Sequence, residues 1–100
     1  MRLELSRFVE RDLEAIAEFA AEDNPRRAVT IIQQIARAIF KIAEQPLLYQ
    51  LRPEIGPEAR LAVVDRFVVL FRVSSNLVRI ERVVYGGRDL PPLLDDSQAP

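Results

Sequence analysis

Residues 60–89 read RLAVVDRFVVLFRVSSNLVRIERVVYGGRD, and this stretch decides the fold. Val, Ile and Phe dominate it, as half-buried pleated surfaces favour. Asp65-Arg66 separates two apolar runs, and Ser74-Ser75-Asn76 is a cluster of turn formers. Three strands are predicted: Arg60–Val64, Arg66–Val73 and Leu77–Tyr85. Connections this short make antiparallel neighbours. In the middle strand Phe67, Val69, Phe71 and Val73 share one face at period 2. Val68 and Leu70 share the other, flanked by Arg66 and Arg72. A central strand with one face under helices has this pattern. In the last strand Val78 and Ile80 have one parity, Val83 and Tyr85 the opposite one. Either both faces are partly buried or a bulge shifts the register near Glu81-Arg82, and the bulge is the preferred reading.

Upstream, Arg2–Leu5 alternates and reads as a short edge strand, with Ser6 as N-cap of the helix after it. From Phe8 to about Ala21 the period is helical. Val9, Leu13, Ile16 and Ala20 form the buried stripe, with Phe8 and Phe19 at its margins. Glu10, Glu14 and Glu18 form a solvated outer row, or else a docking face for a basic partner. Asp23-Asn24-Pro25 is the clearest punctuation: Asn24 caps and Pro25 opens a second helix running to about Ala43. Its buried stripe is Ala28, Ile31, Ile32, Ile35, Ile39 and Ile42. The link is too short for anything but an antiparallel hairpin. Leu47–Glu58 is irregular, and Leu47, Leu48, Tyr49 and Leu51 are expected to lie against the core. The fold class is therefore α+β, in the order β-α-α-β-β-β, with a helical hairpin on one face of a small antiparallel sheet. Residues 1–90 form one domain, and 91–100, PLLDDSQAP after Pro91, read as a mobile tail.

Composition removes several chemistries. With 100 residues the chain has room for one modest core. It contains no Cys and no His, so disulfides, thiolate metal sites and the usual neutral-pH general base are absent. Neither metal nor cofactor is expected. The net charge of −1 gives no global pull towards nucleic acid, and direct DNA binding is not expected. The cations are Arg apart from Lys41, and six of them lie between residues 60 and 88. Arg suits planar, bidentate contact with carboxylate or phosphate. The N-terminus MRLELS is no signal peptide, and no apolar run approaches the ~20 residues of a membrane span. A cytoplasmic protein with no membrane partner is expected.

Several motifs together carry a resemblance. Asp12-Leu13-x-x-Ile16, then Asp23-Asn24-Pro25-x-x-Ala28, then Pro46 resemble the helical half of the ParE/RelE toxin superfamily. Arg60 opening a strand, the run FVVLF, and Val83-x-Tyr85-Gly86-Gly87-Arg88-Asp89-Leu90 resemble its sheet half. The likeness covers about residues 1–90 and is closest to the ParE-like, "plasmid stabilisation" branch of type II toxin–antitoxin systems. One departure is visible: many relatives carry Gly-Arg shortly after the mid-chain Pro, where Leu48-Tyr49 stands here.

The resemblance implies a bacterial toxin held inactive, in a hetero-oligomer, by a ParD-like antitoxin encoded beside it. RelE-like members cut mRNA on the ribosome without metal, whereas ParE-like members act on DNA gyrase. For cleavage, Arg60, Arg82 and Arg88 could supply cation, Tyr85 could move a proton, and Glu81 or Asp89 could act as base. An unshifted tyrosine, with a pKa of about 10, is a poor base. A binding toxin is therefore expected rather than a nuclease. Its target surface would be Arg60, Arg82, Tyr85, Arg88 and Asp89, while Arg72 and Arg82 would meet antitoxin carboxylates. Each residue also has a plainer reading. Arg60 could pair with Asp65 or Glu58, Tyr85 could be a half-buried strand residue, and Gly86-Gly87 could serve a turn with positive φ. Three classes stay open: a gyrase-binding toxin, a metal-independent mRNA endonuclease, and an inactive antitoxin-binding domain.

Overall fold

The computed structural model describes residues 1–86. Gly87, Arg88, Asp89 and the expected tail lie outside the described residues. The elements are β1 (Arg2–Leu5), α1 (Val9–Asp23), α2 (Pro25–Glu44), a 3-10 turn at Pro46–Leu48, β2 (Ala59–Val64), β3 (Phe67–Ser74) and β4 (Leu77–Tyr85). The sheet order is β1-β4-β3-β2. The expected hairpin-on-sheet architecture is present, with one refinement. β2, β3 and β4 are antiparallel neighbours, but β1 runs parallel to β4, so the sheet is mixed. Tight turns dictate antiparallel pairing within the last three strands. The chain returns from β1 to β4 only after two helices and two strands, and no turn constrains its direction.

Asn24 caps α2 as the sequence indicates, its Oδ1 accepting from the Arg26 N–H at 3.0 Å. Ser6 differs from expectation. Helix α1 begins at Val9 with no side-chain cap on the residue before it. Buried Ser6 accepts from the Phe8 N–H at 3.2 Å and donates to the Glu81 carbonyl at 2.6 Å. It ties the exit of β1 to the bulge of β4. That bulge lies where the parity changed: Leu70 pairs with Arg82 and Phe71 with Ile80, leaving Glu81 extra. Ile80 and Val83 both join the inner core, and Glu81 and Arg82 between them turn away from it.

The inner core joins Val9, Ile16, Ile31, Ile35, Ile39 and Ile42 to Phe67, Val69, Phe71, Ile80 and Val83, with Leu13 packed against it. On the outer face Val68 and Leu70 are buried with Ile55 and Ala59. The mid-chain loop is therefore anchored differently than expected. Leu47, Leu48 and Leu51 are exposed, and Tyr49 and Ile55 make its contacts with the two cores. Tyr49 packs edge-on against Phe71 at 5.5 Å. The two-residue turns before β3 and β4 enter through left-handed Asp65 and Ser75, at φ 55° and 45°. Gly86, by contrast, does not have positive φ. A Cβ there would lie 3.0 Å from Val68 Cγ1, so a larger residue would make the Val68 side chain give by a few tenths of an ångström.

Candidate functional site

Strand β1 stops opposite Ile80, so β4 continues beyond it with an edge that no other described strand pairs with. Backbone groups on such an edge need acceptors and donors from elsewhere. Asp12, on the flank of α1, supplies one. Its Oδ2 accepts from the Val83 N–H at 3.0 Å, and its two oxygens accept from Arg82 Nε and Nη2 at 2.8 and 2.9 Å. This bidentate geometry is the strong form of the pair. The hydrogen bond to Asp12 raises the Arg82 pKa above its ordinary value, against the opposing effect of desolvation. The Arg82 guanidinium also lies 5.6 Å from the Phe8 ring centroid. Asp12→Ala should lower stability by about 1.5–3 kcal/mol, the range for hydrogen bonds to charged groups. In denaturant titrations Arg82→Ala should cost little more on top of it, because both substitutions break one unit.

A second charged cluster sits on the outer sheet face. The Glu81 carboxylate is buried between Arg72 Nε at 3.2 Å and Arg79 Nε at 3.1 Å. Arg79 also pairs with Glu4 of β1. Glu81, a candidate base by sequence, is thus enclosed by two guanidiniums.

Arg60 lies on β2 opposite Phe71, whereas Tyr85 lies on β4 opposite Phe67. At about 3.4 Å per residue these positions are separated along the strands by about 14 Å. Arg60 donates to the Tyr49 carbonyl rather than pairing with Asp65 or Glu58. Asp65 pairs with Arg27 at 3.2 Å. The structure therefore does not assemble Arg60 with Tyr85. Arg88 and Asp89 lie outside the described residues.

Tyr85 instead belongs to a groove of about 770 Å³ between α1, the start of α2 and the ends of β3 and β4. Its floor is apolar: Ile16, Ala20, Ile31, Phe67 and Val83. Phe19 and Tyr85 stand over it, 75% and 51% exposed, and Tyr85 packs edge-on against Phe67 at 6.2 Å. Asp23, Arg27 and Arg66 line it as well. Apolar floor, aromatic walls and charged residues suit a side-chain-bearing polypeptide. Among the described residues no three carboxylates converge as metal ligands. No described helix is long and apolar enough to cross a membrane.

Sequence reasoning missed the site roles of Asp12, Phe19 and Arg66. Asp12 left a signal, as a carboxylate at the margin of an apolar stripe. Phe19 left one too, as an aromatic at the margin of that stripe.

A family model of the ParE toxin of type II toxin–antitoxin systems, parDE, matches residues 3–90. The chain belongs to this ParE toxin family. Among solved structures, a chain of the chromosomal ParDE toxin–antitoxin system from P. aeruginosa superposes with a TM-score of 0.73 at 24% identity. The match covers 85% of this chain and 95% of that one, and it shows a shared fold. No curated protein matches the sequence.

Proposed function

We propose that this ParE-family toxin inhibits DNA gyrase by binding it and is neutralised by a ParD-like antitoxin. The observation that favours binding over RNA cleavage is how the arginines are used. Arg82 is held by Asp12, Arg72 and Arg79 by Glu81, and Arg60 by the Tyr49 carbonyl. Cleavage needs cation at the phosphorane and a proton-exchanging group beside it. Here each of these cations already has an internal acceptor, and the chain has no His. Stabilising one state of a second protein needs no proton transfer.

The groove fits an amphipathic helix of the antitoxin, and the edge of β2 beyond Arg60 fits an added strand. Leu51 bridges to Arg60 only, so the described residues leave Leu61–Val64 without an outer neighbour. Charge reversal at Arg72 or Arg82 disturbs internal pairs as well as any contact with antitoxin carboxylates. Arg66, exposed on the groove, separates the two effects. Phe19→Ala should leave folding within about 0.5 kcal/mol, because the ring is exposed. The same change should weaken antitoxin binding by about 2 kcal/mol, roughly thirtyfold, if Phe19 anchors the groove. Titration calorimetry beside a denaturation curve reads both.

Inducible expression alone, and with the adjacent antitoxin reading frame, tests the proposal in cells. Growth arrest relieved by the antitoxin, with mRNA intact by primer extension, is the expected result. Arrest accompanied by cleavage of ribosome-bound message would replace it with the endonuclease reading.

A further inference from the structure

Helix α2 carries a second, mostly apolar ribbon that the described residues leave uncovered. Its buried stripe, Ala28, Ile31, Ile35, Ile39 and Ile42, faces the core. Beside that stripe run Val29, Gln33, Ala36 and Phe40, at spacings of four, three and four residues that align them on one flank. All four are exposed, Val29 at 58% and Phe40 at 64%. A single exposed apolar residue needs no explanation, but Val29, Ala36 and Phe40 aligned over three turns, with Gln33 between them, offer a surface for contact.

We propose that this ribbon is a self-association surface, occupied by the same ribbon of a second copy running antiparallel across a two-fold axis. The ribbon is self-complementary. In a two-fold contact residue i meets j, and j meets i. If the axis passes near Gln34-Ile35, Val29 of one copy meets Phe40 of the other, and Gln33 meets Ala36. Large side chains then close both ends of the contact. Ala36 lies near its middle, where two helix backbones must approach. The same axis sets exposed Arg26 of one copy opposite Ala43 and so one residue from exposed Glu44 of the other, at both ends. Arg37 falls one residue from Gln33 of the other copy, which can accept its hydrogen bond. A parallel arrangement would instead set Arg26 on Arg26 and Arg37 on Arg37. Charge therefore selects the antiparallel one. None of these residues lines the groove, so the ribbon is separate from the surface proposed for the antitoxin.

The test uses the full chain, which has no native Cys. Sedimentation over a concentration series should show a monomer–dimer equilibrium. Phe40→Glu should weaken it by at least about tenfold, with circular dichroism and melting unchanged. Glu44→Arg should also weaken it, and adding Arg26→Glu should restore it. Under mild oxidation Ala36→Cys should give a disulfide-linked dimer, while Glu18→Cys, on the outer face of α1, should not. A chain monomeric at every concentration would overturn the proposal. So would a dimer that Phe40→Glu leaves intact, or cross-linking equal at both cysteine positions.

Discussion

Phe71→Ala is expected to cost about 3–5 kcal/mol, the usual range for deleting a buried aromatic ring. Phe71 has no exposed surface and lies in β3, between the other two antiparallel strands. It belongs to the inner core with Ile35, Ile39 and Ile80. Its ring is also the one Tyr49 packs against, edge-on at 88°. Removing it opens a cavity and loosens one anchor of the mid-chain loop. Small domains are stable by only about 5–15 kcal/mol, so the variant should be near the threshold of folding. Urea titration should show a lower midpoint at an unchanged slope. A midpoint equal to that of the parent would mean that Phe71 is not packed beneath the hairpin.

Glu81→Ala is expected to cost about 3 kcal/mol, because it removes one partner of a buried ionic cluster and leaves the others in place. The Arg72 and Arg79 side chains are only 13% and 15% exposed, so water recovers little of the lost interaction. Glu81→Gln keeps the shape and some of the hydrogen bonding but not the charge, and should cost less. Salt separates this cluster from the surface pair Arg27–Asp65, whose side chains are 48% and 41% exposed. Raising ionic strength should erase the contribution of the exposed pair and largely spare that of Glu81. A Glu81→Ala variant as stable as its parent would show that the carboxylate only offsets its own burial.

Periodicity and punctuation made most of the fold legible. Asn24-Pro25 marked the hairpin, the parity of Phe67–Val73 separated the two faces of β3, and the parity change after Ile80 placed the bulge. What the sequence could not convey was geometry between distant segments. The direction of β1 depends on a long return path. The loop's inward residues, Tyr49 and Ile55, were not separable by composition from Leu47, Leu48 and Leu51, which are also apolar but face solvent. Site residues were legible by type and not by use. Arg72 and Arg82 stood out as cations, yet their partners Glu81 and Asp12 lie 9 and 70 positions away in sequence. No local pattern specifies such pairs. Arg60 and Tyr85 shared a motif-level resemblance and still sit at different ends of the sheet.

On the proposed function, this ParE-family toxin acts by binding gyrase and performs no chemistry on RNA. The most direct measurement is DNA supercoiling by purified gyrase with the full-length toxin added, alone and with its antitoxin. The predicted result is loss of supercoiling with accumulation of gyrase-linked cleaved DNA, both abolished by the antitoxin. Unimpaired supercoiling at saturating toxin, from a preparation that cleaves ribosome-bound mRNA, would contradict it.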